Sequence, residues 1–370
     1  MRLGLLTLLS SLLLIFSVPA FGDQDIKGIQ EAIVKVRAVV PSSARTAGSL
    51  GTEREGAGAV IDSNGLILTI GYLILEAESI EVVSSDDKVL GATFIAYDDN
   101  TGFGLVRAKE PLGVTPFKLG HSAQVHVGDK LVVASLGGPD AVVLTTVVSR
   151  GEFTGYWEYL LEDAIYTVPS YPNYGGAALI GSDGTLLGIG SILTQFAVQG
   201  VGVVASNMFV PIDYLKPILA DLISQGRSSE PRKPWLGFHA EETRGRVFVI
   251  RVSRDAPAEK AGLEVGDIVL TVDKEPIKGL SDFYRKVWAL GRAGVEVPLS
   301  VLQGTEIRNI TIHSGDRYRY FRLRPRRKAD YVAFGAFGGP AKLWFQKYPF
   351  SAPISSLLGP KSIRQETPAS

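Results

Sequence analysis

Hydrolysis by a side-chain nucleophile needs a hydroxyl or thiol to attack, an imidazole to take and return its proton, and a carboxylate to orient that imidazole. The chain has no cysteine and four histidines. There is therefore no thiol nucleophile, and any imidazole would have to come from His121, His126, His239 or His313. His121 and His126 fall in or beside a strand-turn-strand pattern, and His239 and His313 lie in a later unit of the chain, His313 near its end. All four read as surface or turn histidines. Asp98 and Asp99, followed by Asn100 and Thr101, read as turn residues. No His/Asp/Glu group shows metal-ligand spacing, and no glycine-rich stretch has phosphate-binding context. No metal and no cofactor is expected.

The elements that would position such groups are mostly strands. The 370 residues are 45% hydrophobic, enough for two or three domains with ordinary cores. Lys+Arg and Asp+Glu balance at 38 each, so nothing in the charge points to nucleic acid. Arg2, the apolar run 3–18 and the small residues Ala20 and Gly22 have the layout of a secretory signal, cleaved near Ala20 or Gly22. The run is shorter than the roughly 20 apolar residues of a typical membrane span; an uncleaved anchor is the alternative. Residues 26–40 predict a short helix running into a strand, and residues 41–58 a loop. From there to about Val210, short β-rich runs alternate with Gly, Asp and Asn turns, the pattern of a barrel or sandwich. Residues 211–226 predict a helix with Ile212, Leu215, Ile218, Leu219 and Leu222 on one face, stopped by Gly226. A polar linker follows, and then a second unit of strands and helices from Trp235 to about Ser314.

The order and spacing of these runs resemble the HtrA (Deg) family of serine proteases. Residues 56–69 (GAGAVIDSNGLILT) resemble the family's first hairpin and the strand leading to its catalytic histidine. Residues 80–108 resemble the next hairpin and the strand after the catalytic aspartate. Residues 119–139 resemble the segment between the barrels, and 172–191 (PNYGGAALIGSDGTLLGIGS) the segment carrying the nucleophile. The resemblance implies a mainly β chain: a trypsin-like double β-barrel over 23–227, followed by a PDZ domain (α+β) over 228–316 and a tail over 317–370.

The residues depart from the family at its three catalytic positions. Tyr72 stands where the resemblance places the histidine, Gly102 where it places the aspartate, and Gly175 where it places the serine. Glycine has no side chain to attack with, and a tyrosine of ordinary pKa near 10 is a poor base at neutral pH. Ser170 and Ser182 are the nearest serines to Gly175. Asn173 and Tyr174 replace residues of the turn that builds the family's oxyanion hole, and Tyr174 is expected to stack on Tyr72 across the former cleft. The expectation is a pseudoprotease; the alternative is an active serine endopeptidase with a rearranged site.

Residues 235–314 resemble an HtrA-type PDZ domain, in which a partner's C-terminus adds as a strand to a sheet edge and backbone N–H groups of a loop catch its carboxylate. The resemblance places that loop at Trp235, Leu236, Gly237 and Phe238, and the groove helix at 281–290, with Phe283, Val287 and Leu290 on one face and Ser281 as its N-cap. Expected partners are peptides or protein C-termini, with homo-oligomers or hetero-oligomers of HtrA-type proteases also in view. The run Arg317–Lys328 (RYRYFRLRPRRK) interleaves Arg with aromatics, which suits an anionic membrane surface or a solvated extension. The expected location is the periplasm.

Overall fold

The computed structural model describes residues 23–136, 141–198, 202–321 and 323. The expected signal segment lies outside them, and so does most of the tail beyond Phe321. Among the described residues no helix is long and apolar enough to cross a membrane.

Helix α1 (Asp23–Glu31) leads into β1 (Ile33–Val39), as the alternation of apolar residues implies. A short helix α2 (Ala47–Leu50) precedes β2 (Glu53–Val60), β3 (Leu66–Ile70), β4 (Ser79–Val83), β5 (Val89–Tyr97) and β6 (Phe103–Ala108). These strands close antiparallel in the order β1-β2-β3-β6-β5-β4. The expected loop over 41–58 is therefore shorter than its composition implied. Glu53 to Gly58 form strand because β1 supplies a continuous partner, Val39 facing Glu53 and Val34 facing Gly58. Glycine-rich sequence is poor strand former by itself, and the ladder overrides it.

The second barrel comprises β7 (Lys130–Ala134), β8 (Val142–Gly155), β9 (Tyr159–Val168), β10 (Ala178–Ile180), β11 (Leu186–Val198) and β12 (Gly202–Pro211), closed in the order β10-β11-β12-β9-β8-β7. One apolar cluster runs through both barrels, from Val36, Leu68 and Leu105 to Leu161, Ile189 and Val210. Each fully buried aliphatic side chain of this kind contributes roughly 1.5–3 kcal/mol. All five residues of β3 are buried.

The helix expected over 211–226 is broken. Strand β12 runs through Pro211, a single 3-10 turn covers Ile212–Tyr214, and α3 occupies only Leu219–Gln225. Pro217 cannot donate to an i−4 carbonyl, which favours a late helix start. The apolar face survives the break: Ile212, Leu215, Ile218 and Leu222 are buried. Gly226 ends α3 in a left-handed conformation (φ 74°) and donates to the Leu222 carbonyl, as a C-terminal glycine should.

The third sheet holds β13 (Phe238–Thr243), β14 (Arg246–Val252), β15 (Ile268–Val272), β16 (Glu275–Pro276), β17 (Glu296–Gln303) and β18 (Glu306–His313), with β13 at one edge. Helix α4 (Pro257–Lys260) and helix α5 (Leu280–Ala289) accompany it. Ser281 is not the N-cap of α5. The helix starts at Leu280, whose N–H is satisfied at 2.8 Å by the Glu242 carboxylate from β13. A tertiary carboxylate replaces the local cap. The start of the basic run is not a solvated extension either: α6 (Arg317–Tyr320) packs Tyr318 into a small cluster with Leu75 and Tyr97. Arg317 is half-buried there and donates to the Glu158 carbonyl at 3.3 Å, while residues 322 and 324–328 of the expected membrane-binding run lie outside the described residues.

Candidate functional site

Tyr72 follows β3 in a 3-10 turn over Gly71–Leu73. Its carbonyl is fixed by Arg54, 94% buried, whose guanidinium donates to the carbonyls of Tyr72 (2.9 Å) and Leu75 (3.0 Å) and to Thr46 Oγ1 (2.8 Å). Glu76 holds Thr46 in turn, accepting from its N–H and hydroxyl at 2.8 and 2.7 Å. A buried guanidinium is tolerable only when its N–H groups are satisfied. Nothing in the spacing of the sequence singled out Arg54, which lay in the segment read as loop.

The Tyr72 side chain reaches across to the second barrel, where its hydroxyl donates to the Ser191 carbonyl at 3.0 Å. Burial, and secondarily Tyr174, pushes its pKa far above the ordinary tyrosine value. The hydroxyl is a fixed donor and no base. The expected stack of Tyr72 on Tyr174 is absent: no ring contact joins them among the described residues.

Residues 173–177 are pinned on both sides. Ser135 Oγ donates to the Asn173 carbonyl (2.5 Å), Ala57 N–H to the Gly175 carbonyl (2.8 Å), and Gly176 N–H to the Gly190 carbonyl (2.9 Å). At Gly176 (φ 78°) a Cβ would come within 1.9 Å of the Ala57 carbonyl oxygen, so only glycine fits. A Cβ at Gly175 would lie 2.7 Å from the Tyr72 hydroxyl oxygen. The place of a side chain at 175 is thus taken by the side chain from 72. Gly102 (φ 80°) accepts from Gly71 N–H at 2.7 Å, tying it to the Tyr72 turn. The structure therefore brings together the three positions that the resemblance had marked.

Asp98 is 99% buried, and its carboxylate accepts from the N–H and hydroxyl of Thr101 at 2.8 and 2.7 Å, the turn role expected of it. Burial, with Asp99 beside it, raises its pKa to about 6. Asp99 pairs with Arg232 at 3.5 Å. Neither meets an imidazole: His121 contacts Lys216, and His239 faces Tyr156. Among the described residues no group of His, Asp and Glu could hold a metal ion.

The second expected site is at the edge of the third sheet. Leu236 N–H (2.8 Å), Gly237 N–H (2.7 Å) and Phe238 N–H (3.3 Å) all donate to one carboxylate. That carboxylate belongs to Glu158, in the turn between β8 and β9. Phe283 and Val287 are buried in the core beside it, with Leu236 and Phe238. Trp235 lies apart from the carboxylate. Its backbone pairs with Gly315 and its ring packs on Tyr320 at 4.4 Å.

The pattern of a trypsin-like peptidase domain matches residues 56–189, and that of a PDZ domain matches residues 234–313. A "probable periplasmic serine endoprotease DegP-like" of Pseudomonas fulva is 29% identical over 286 residues, covering 71% of this chain and 57% of that protein. A protein of the same description from Pseudomonas putida is 27% identical over 277 residues, covering 70% of this chain and 55% of that one. The chain thus carries a trypsin-like peptidase pattern followed by a PDZ pattern, and over that span it is similar to these DegP-like relatives. It spans little more than half the length of these relatives. A solved serine endoprotease from Yersinia pestis aligns over 81% of this chain and 99% of its own, at 22% identity and a TM-score of 0.48. The two expected sites thus differ: positions 72 and 175 hold a Tyr–Gly contact, and the loop at 236–238 holds a carboxylate from the chain's own second barrel.

Proposed function

We propose that the chain is an exported, periplasmic HtrA-type pseudoprotease that binds peptides or partner C-termini through its PDZ domain, in envelope protein quality control. The observation that carries the inactive reading is the Tyr72–Gly175 contact. A serine at 175 would have to place its Cβ 2.7 Å from a buried hydroxyl oxygen. Neither a nucleophile nor a base stands there, and a triad without them retains little of its rate. The HtrA-type architecture supports assembly with itself or with active relatives. The peptide-binding residues are Leu236, Gly237 and Phe238, whose N–H groups converge on a carboxylate, with Phe283 and Val287 behind them.

The test is cleavage of an unfolded protein by the purified mature chain, beside an active HtrA protease and a Ser170→Ala variant. Cleavage no faster than the blank is expected. Cleavage that disappears in Ser170→Ala would establish the alternative, a rearranged serine endopeptidase.

A further inference from the structure

The β8–β9 hairpin turns through Tyr156, Trp157 and Glu158, with Gly155 facing Tyr159 across its base. The third position of such a three-residue loop is left-handed and favours glycine. Here it is Glu158, at φ 57°. A non-glycine residue in that region costs roughly 1–2 kcal/mol, so contacts elsewhere must hold it.

The PDZ domain grips the turn from three sides. The loop before β13 binds the Glu158 carboxylate through three N–H groups. The edge strand β13 donates Ala240 N–H to the Tyr156 carbonyl at 2.9 Å. From α5, the Tyr284 hydroxyl donates to the Gly155 carbonyl (2.9 Å) and accepts from Glu158 N–H (3.1 Å). One backbone hydrogen bond, Ala240 N–H to the Tyr156 carbonyl, and the Phe238 N–H bond to the Glu158 side-chain carboxylate set residues 156–158 along the free edge of β13, where an added peptide would lie. The side chain of Leu160 is buried in the cluster of Leu236, Phe238, Phe283 and Val287. Carboxylate, strand contact and aliphatic side chain all occupy the positions that a C-terminal peptide ending in an aliphatic residue would need. Around the rim, Arg285 of α5 forms ion pairs of 2.5 Å with Glu152 and Glu162 of the same hairpin.

We infer that the PDZ groove is self-ligated: residues 155–160 of the trypsin-like domain imitate a C-terminal peptide, and a partner ending in a free aliphatic C-terminus binds by displacing them. The inference rests on the peptide-binding reading only for the partner; the internal occupant is a separate claim.

Two measurements on the full chain separate the claims. The first is amide hydrogen exchange of wild type, Glu158→Ala and Glu158→Gln, with β17–β18 amides as a reference for an intact PDZ fold. Self-ligation predicts that the Leu236 and Gly237 amides are protected in wild type and exchange at least tenfold faster in Glu158→Ala, with the β17–β18 amides unchanged. Unchanged exchange at 236 and 237 in both variants would overturn it. A Glu158→Ala chain that loses β17–β18 protection leaves the decision to Glu158→Gln, which keeps the side-chain volume. The second measurement is fluorescence anisotropy with labelled Thr-Gly-Tyr-Trp-Leu, as free acid and as C-terminal amide. The free acid is expected to bind the Glu158 variants at least tenfold more tightly than wild type, and the amide to show no such gain. Equal affinity for wild type and variants would overturn displacement while leaving peptide binding intact. Faster exchange in the variants with no peptide bound by any of them would establish the internal occupant and remove the partner.

Discussion

The hydroxyl oxygen of Tyr72 sits 2.7 Å from where the Cβ of any residue other than glycine at 175 would begin. The two positions are complementary: one side chain has crossed the cleft and the other has vanished. A side chain at 175 must therefore conflict with Tyr72 unless Tyr72 is replaced too. Gly175→Ser is expected to destabilise the chain by about 1–3 kcal/mol, the usual range for overpacking. Tyr72→His with Gly175→Ser is expected to recover most of that loss. Chemical denaturation of both single variants and the double variant measures the coupling, and additive effects would contradict the contact.

Tyr72→Phe removes the 3.0 Å hydrogen bond to the Ser191 carbonyl and nothing else. A loss of about 1 kcal/mol is expected. On the pseudoprotease reading proposed above, the variant should cleave unfolded protein at the same rate as the parent chain, that of the blank.

Arg54 organises the turn that presents Tyr72. Arg54→Met keeps an apolar stem but leaves the carbonyls of Tyr72 and Leu75 and the Glu76 carboxylate without their guanidinium. Breaking a buried charged network of this type costs on the order of 3 kcal/mol. The thermal midpoint reports it, and a shift within error would show that the network is dispensable.

The PDZ contact carries two opposing titrations. Burial pushes Glu158 up to about 7 from an ordinary 4.5, against the three N–H groups and Arg317. Burial, then Arg251 and Arg317, holds His239 down at about 4 from an ordinary 6.5. A raised carboxylate contributes stability that is full below pH 4.5 and is lost as pH rises through 7. A depressed histidine contributes stability that is full above pH 6.5 and is lost as pH falls through 4. The two nearly offset each other between pH 5 and 6.5. Relative to the parent chain, His239→Asn should lose stability as pH rises from 5 to 7, and Glu158→Gln should lose it as pH falls. Denaturation midpoints across that range test the sign of each, and variant profiles parallel to the parent's would refute the assignment.

Strand alternation and turn residues were enough to read short strands of a barrel or sandwich and a second mixed unit, because period-two burial and Gly/Asp/Asn turns are local properties; the double barrel and the PDZ domain were read from the resemblance to the HtrA family. Positions 72, 102 and 175 were singled out by the resemblance to the HtrA family, through the order of the runs in which they sit. What local pattern misjudged was set by neighbours distant in sequence. Glu53–Gly58 became strand through pairing with β1, the α5 cap came from Glu242, and α6 left the tail for a pocket beside Tyr97.

The sequence by itself determined that position 175 has no side chain and that the loop at 236–238 has backbone N–H groups to offer. It did not determine what fills those two places. Tyr72 and Gly175 are 103 residues apart, and Glu158 and Leu236 are 78 apart. No spacing or periodicity links residues so separated. Only the closure of the barrels, and the docking of the PDZ sheet on the β8–β9 hairpin, sets a hydroxyl into the space beside Gly175 and a carboxylate against the N–H groups of 236–238.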